Sequence, residues 1–465
     1  MPSKSLPWMQ QTLGRLRGLE PDPHPLMDPP AEGESPDAAF VISLALMIAE
    51  SLLANGADGE ETIAGMLVTA ESYGLMWCEP DVTLWVVSLS GRMAEDTEPT
   101  VEQRIVRRRT TDFTALGATQ QLIQEINEGR VSATEARERA FALSPAPADP
   151  SDGSRAARWL DHAVHGGVVA ASGSLVAGGD HHVVIPSFLA ATLAARMTSF
   201  LAAHGVPAFY RFALAAVPAA IAALVMEPYG DALDSRAIIV GGILALLPAL
   251  TVISAVQDAL TGHYLTAYAR LMDATLVFLA LVAGIGASLT VAARFGHALP
   301  LFSQTAPLDY LSWRLLGVAV FTAAIASRMN VPPRKWPLVM ALGVGGLIAF
   351  IGLRDLELSR LLCTGCVAAA IGGIGQVLAR RHGVSALPWV IPATTPLLPG
   401  SMLYRALSEM AVRDVEAGTS HLVQAVAMWV TLAAGVSFSS EAATLLRRLR
   451  DRGGRAAPAT GREAA

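Results

Sequence analysis

The chain has 465 residues, 52% of them apolar and only 16% charged, with a formal net charge of −6 and a mean hydropathy of +0.43. A soluble chain carries charge on about a quarter of its positions, so a purely soluble globular protein is excluded and a polytopic α-helical membrane protein with a soluble N-terminal part is implied. The acidic balance gives no support to nucleic-acid binding.

Taken in chain order, residues 1–36 come first. They lack an apolar core followed by a small-residue cleavage site, so they are not read as a signal peptide. Their second half, "PDPHPLMDPPAEGESP", holds six prolines and predicts disorder. Residues 37–145 predict a small soluble α+β domain. "DAAFVISLALMIAESLLANGAD" has helical periodicity, with Asp37 as N-cap and Gly56 as stop. A second helix ends at Gly74. "DVTLWVVSLS" and "EQRIVRRRT" each read as a strand, and two more helices follow, the last with a capping box of Ser132 and Glu135. The domain shows no Gly-rich phosphate loop and no nucleophile elbow. Arg107, Arg108 and Arg109 fit a solvated strand end better than an anion site.

The remainder predicts ten spans at about 163–180, 183–203, 208–226, 237–257, 266–292, 311–329, 336–353, 361–379, 386–407 and 421–446. Several run for about 20 residues without a charge, enough to cross a core of about 30 Å. Arg328, Arg334, Lys335, Arg380, Arg381 and the tail "LLRRLRDRGGR" fall on one side, which favours both termini in the cytoplasm. The tail, 448–465, reads as basic and disordered. Cys363-Thr-Gly-Cys366 lies in an apolar run with no second ligand pair, so it reads as two small core-type residues on one helix face. His181-His182 reads as solvated. No metal or cofactor is expected.

The ninth span is interrupted by Pro392, Pro396, Pro399 and Gly400. Its phrase "LLPGSMLYRAL" (397–407) recurs 151 residues earlier as "LLPALTVISAV" (246–256), and the offset holds without a gap to Ser288/Ser439. Pro248 is thus the counterpart of Pro399, and Asp258 of Glu409. Two units of five spans follow, 155–295 and 308–447. An odd count obliges the second to enter the membrane from the opposite side. Inverted repeats with matching broken helices mark secondary transporters. The break cannot face lipid, because its backbone groups have lost their helical partners.

Three phrases then carry a family resemblance: "LLANGADGEETIAGMLVTAESYGL" followed by "VTLWVVSLS", "LPALTVISAVQDALTGHYLTAYARLMDA", and "IPATTPLLPGSMLYRAL". In this order the chain resembles the threonine/serine exporter (ThrE-type) family over residues 40–440. The resemblance implies a bacterial plasma-membrane exporter of small amino acids, driven by the proton gradient, with a cytoplasmic N-terminal domain. Its partners would be a small solute, protons and lipid, and the reading leaves room for a homo-oligomer. A dicarboxylate such as succinate is the alternative cargo. The alternative from another class is a membrane-anchored sensor or hydrolase, which the lack of a nucleophile–base pair disfavours.

Ionisable groups in spans define the candidate site. Asp273, two turns into the fifth span, ranks first as proton carrier on the expectation of partial burial, with Asp258 and Glu441 behind it. Arg270, one turn before Asp273, is read as its ion-pair partner or as a ligand for a substrate carboxylate, and the competing reading is a snorkelling arginine. Pro248, Pro399 and Gly400 expose backbone at the breaks. Thr394, Thr395, Ser401 and Tyr404 flank the second break as ligands for an ammonium or hydroxyl, although such side chains commonly bond to their own helix.

Overall fold

The computed structural model describes residues 36–107, 111–144, 154–229, 232–294, 311–382, 385–411 and 414–455. The chain divides into two compact units, Met1–His162 with Ala195–Leu214, and Ala163–Ala194 with Ala215–Ala465. The expectations for the Pro-rich start, the Arg108–Arg109 pair and the last ten residues lie outside the described residues.

The first unit opens with α1 (Ala38–Ala54) and α2 (Gly59–Ser72). Asp37 caps α1 by accepting from the Phe40 amide at 2.8 Å, and Asp58 caps α2 through Glu61 N at 2.8 Å. Gly56 and Gly74 follow with φ of 102° and 94°, the left-handed backbone that ends both helices. Strands β1 (Trp77–Thr83), β2 (Val86–Arg92) and β3 (Thr100–Ile105) form an antiparallel sheet in the order β1-β2-β3. Here the sequence reading is corrected. "DVTLWVVSLS" is not one strand but a hairpin that turns at Leu84 and Trp85, with Thr83 facing Val86. Leu84 takes φ 62°, a conformation that glycine or asparagine normally signals, so nothing in the residue types announced it.

Helix α1 is buried along almost its whole length, and with β2 and Met66 it forms one core: Ile42, Leu46, Leu53, Val87 and Leu89 are all shielded. Helices α3 (Phe113–Asn127) and α4 (Ala133–Leu143) follow, with Ser132 accepting from Glu135 N as the capping box requires. Arg104, a buried charge in this core, is paired with Glu50 at 3.2 Å.

The apolar part begins with α5 (Ser154–Val176), α6 (Val184–Ala203), α7 (Ala208–Ala215) and α8 (Val217–Met226). Next come α9 (Ala232–Leu246), α10 (Ala249–Leu260) and α11 (Tyr264–Arg294). A second series follows: α12 (Leu311–Arg328), α13 (Trp336–Asp355), α14 (Arg360–His382), α15 (Leu387–Thr394), α16 (Gly400–Ala411) and α17 (Val415–Arg455). Seven helices among the described residues are long and apolar enough to cross a membrane, and the bent pair in α9–α10 makes up to eight. The chain is therefore a mostly helical polytopic membrane protein. The expected first span corresponds to the shorter apolar stretch Ala163–Val176, and the ninth is interrupted as its prolines require.

Close helix approaches in this part use glycine, as association in lipid demands. A Cβ at Gly435 in α17 would stand 2.6 Å from the Gly365 carbonyl of α14, and one at Gly317 in α12 would stand 2.6 Å from Leu175 Cβ in α5. Many large apolar side chains, among them Leu189, Leu276, Ile348 and Phe438, stay exposed. In a bilayer such faces meet acyl chains at no cost. Cys363 is buried while Cys366 is exposed, so the two sulfurs do not share one environment.

Candidate functional site

The site is built from the two helix breaks. Helix α9 ends at Leu246, Pro248 caps α10 with φ −82° and ψ 58°, and the two helices bend by 52°. Proline has no N–H to give and its ring strikes the carbonyl four residues back, so a helix restarts there and does not continue. In the second series α15 stops at Thr394, a 3₁₀ turn covers Thr395–Leu397, Leu398 is extended, and α16 starts at Gly400. The restart directly follows the proline in both cases. The offset of 151 residues links both ends of α10 to both ends of α16, and the first residue of α11 to the first residue of α17.

The two breaks belong to one packed region. A Cβ on Gly400 would lie 2.8 Å from Leu244 Cδ2 and 3.5 Å from Val240 Cγ1, so the start of α16 sits against the end of α9. Pro399 and Gly400 are buried and Pro248 is half-buried. The hydroxyls expected to bind cargo are otherwise engaged. Thr394 Oγ1 donates to the Val390 carbonyl at 2.9 Å and Thr395 Oγ1 to the Ile391 carbonyl at 2.6 Å. Both thus satisfy their own helix, the competing reading given above. Ser401 is exposed; Tyr404 is fully buried, with the Arg236 guanidinium close enough to act on it electrostatically.

Beyond each break lies a buried ion pair. Asp258, in the last turn of α10, meets Arg270 of α11 at 2.7 Å, with side chains 0% and 5% exposed. Glu409, in the last turn of α16 and 1% exposed, meets His421 of α17: Glu409 Oε2 lies 2.6 Å from His421 Nδ1. Its other oxygen, Oε1, accepts from Arg405 Nε at 3.0 Å. Asp258 and Glu409 are 151 residues apart, and so are Arg270 and His421. A carboxylate thus meets a basic side chain at equivalent places, joining the half-helix to the long helix in both series. Each carboxylate residue also accepts through its carbonyl a helix-closing amide, from His263 at 2.8 Å and from Asp414 at 3.0 Å, at equivalent places.

This arrangement alters the expected roles. Arg270 pairs with Asp258, twelve residues earlier and on a separate half-helix. Asp273 itself is exposed on α11, so the burial that ranked it first is not found. The Glu441 side chain lies outside the described residues. Glu409, His421 and Arg405 were not among the expected site residues. The 151-residue offset held the signal, because it sets a carboxylate over a carboxylate and a cation over a group that can become one. On the loop before α6, Asp180, His181 and His182 offer ligand atoms within 4.8 Å of one another. His181 Nδ1 is already held by Asp180 Oδ1 at 2.8 Å, which keeps that carboxyl below the usual range.

Comparison with known proteins matches two family models. One described as "Putative threonine/serine exporter" covers residues 43–292, more than half of the chain, and one described as "Threonine/Serine exporter, ThrE" covers residues 314–442. The chain belongs to the threonine/serine exporter family. Its relatives include the "Threonine/serine exporter" of Corynebacterium glutamicum, 29% identical over 437 residues, covering 92% of this chain and 87% of that one. The "Probable threonine/serine exporter" of Mycobacterium tuberculosis is 28% identical over 415 residues, covering 88% and 77%. No solved structure matches the chain. As a member of this exporter family, the protein is a bacterial membrane protein that handles a solute, and the hydrolase alternative loses its footing. The boundary between the two family models falls between α11 and α12, where the first series of helices ends.

Proposed function

We propose that this protein exports threonine, serine or a similar small amino acid from the cytoplasm in exchange for protons. The observation that carries the reading is the recurrence, at one offset, of a proline break followed by a buried carboxylate–cation pair. A single broken helix is a common kink. Two breaks with sequels at equivalent positions, packed against each other at Gly400 and Leu244, support a reading as two copies of one five-span unit around a shared centre. An odd number of spans per unit inverts the second copy, and rocking one copy against the other opens the centre to alternate sides. The arginine-rich joints support a reading with both termini in the cytoplasm and residues 37–145 as a cytoplasmic domain. The sequence names of the relatives, together with family membership, support the amino-acid cargo.

The test uses inside-out vesicles with an acidic lumen. Labelled threonine should accumulate when the pH gradient is imposed and not when it is collapsed. A panel of threonine, serine and succinate separates the amino-acid reading from the dicarboxylate one. Accumulation of succinate alone would overturn the cargo assignment.

A further inference from the structure

The two cross-links are alike in place and unlike in chemistry. Arg270 carries a guanidinium, which stays charged at every physiological pH. The Asp258–Arg270 pair is buried on both sides, so it has no inexpensive protonation change to offer. At the equivalent place in the second series stands His421, and histidine is the basic side chain that can exist either neutral or charged. Its side chain is 20% exposed, so it is less enclosed than either member of the first pair. We infer that the Glu409–His421 pair is the proton-binding site of the transport cycle, and that Asp258–Arg270 is its permanently paired counterpart.

The geometry assigns the atoms. His421 Nδ1 lies 2.6 Å from Glu409 Oε2 and 3.0 Å from the Ala417 carbonyl oxygen. Both neighbours are acceptors, so Nδ1 carries a hydrogen in either protonation state. The proton gained and lost is therefore the one on Nε2. Binding forms one Nε2–H bond and gives an imidazolium facing the Glu409 carboxylate; release returns that proton to water. Several charged groups stand near the pair. Arg405, 50% exposed, binds the far oxygen of Glu409. Arg236 of α9 and Arg360 of α14 both reach Arg405 electrostatically. Asp258 of α10 is neutralised by Arg270 of α11, and Asp273 of α11 is exposed. Glu409 stands on the half-helix behind the break and His421 on the continuous helix. A movement of α16 against α17 parts the carboxylate from the imidazolium and frees the proton.

This site rests on the proton-exchange reading given above, and the test keeps the two apart. The full-length protein is placed in proteoliposomes and assayed for threonine accumulation under a pH gradient and for threonine counterflow, which needs no net proton movement. One pH unit supports about a tenfold accumulation for one proton per solute. His421→Arg copies the first cross-link into the second. It should retain counterflow while accumulation falls to the equilibrium ratio. Accumulation by His421→Arg equal to that of wild type overturns the site assignment and leaves the exchange reading standing. Wild-type accumulation that ignores the pH gradient overturns the exchange reading and the site with it. Should His421→Arg also lose counterflow, the deciding measurement is proton exchange with unbuffered medium on threonine addition to detergent-solubilised protein. Wild type should exchange a proton; His421→Arg and His421→Asn should not, and an exchange that persists in either overturns the assignment.

Discussion

Gly400 lies so close to Leu244 that a Cβ on the glycine would stand 2.8 Å from Leu244 Cδ2 and 3.0 Å from Cγ. The contact joins the restart of one broken helix to the end of the other, two places that are 156 positions apart in the chain. Leu244 offers the far end of a flexible side chain, so a single methyl is accommodated by a small rotation, whereas a branched side chain is not. Gly400→Ala should therefore keep substantial transport, and Gly400→Val should lose most of it along with about 1–3 kcal/mol of stability, the usual cost of overpacking. Thermal unfolding of the purified variants and threonine counterflow check this pair.

The Asp258–Arg270 pair supplies a second prediction. Removing one member of a buried pair strands a charge and costs about 3–5 kcal/mol, while replacing both is far milder. Arg270→Ala should sharply reduce the yield of folded protein. The double variant Asp258→Asn, Arg270→Gln should recover much of it. Fluorescence-detected size exclusion of the three proteins gives the comparison directly, and equal loss in single and double variants would deny the pair its structural role.

How much of this was legible in the residues differs from element to element. The apolar helices and the proline breaks were, because long uncharged runs and interior prolines leave few alternatives in lipid, whereas seven to eight spans among the described residues stand against the ten expected. The caps at Asp37 and Ser132 act through local geometry and follow from residue type and spacing. The turn at Leu84 did not announce itself, since the register of its strands is set by the burial of Val82, Val87 and Leu89 against α1 and not by turn chemistry. The pairing of Arg270 with Asp258 was not legible for a related reason. Helical spacing brings Asp273 to mind, yet Asp258 arrives from a separate half-helix that only tertiary packing delivers. His421 was passed over because an offset compared by identity sees arginine against histidine as a mismatch, when the physical content at that place is a positive charge, fixed in one copy and conditional in the other.

A third prediction concerns the N-terminal unit. Burial, reinforced by the Asp58 carboxylate, pushes the Glu61 carboxyl up to about 7, although Gln120 donates a hydrogen bond to it. A folded-state value above the unfolded one favours the protonated form, so this stabilisation is complete below pH 4.5 and is lost as pH rises through about 7. At about 1.4 kcal/mol per unit, the loss is on the order of 3 kcal/mol. Glu61→Gln keeps a hydrogen-bonding side chain without the charge. Thermal unfolding of the full chain should show the variant more stable than wild type at pH 8 and the two converging at pH 4.5.

The crossing of α14 and α17 offers a fourth. A Cβ on Gly435 would stand 2.6 Å from the Gly365 carbonyl oxygen and 3.0 Å from Ala368 Cβ. The obstacle is backbone, which cannot rotate away. Gly435→Ala should already be destabilising, by about 1–3 kcal/mol, in contrast to the tolerated Gly400→Ala. Unfolding temperatures of the two alanine variants, measured side by side, test whether the helices approach as closely as described.

The most direct measurement of the central claim is labelled-threonine accumulation in inside-out vesicles with an acidic lumen, with and without collapse of the gradient. The account predicts concentration of threonine in the lumen that disappears when the gradient is collapsed. Uptake that merely equilibrates, or that is unchanged by collapse, would contradict it.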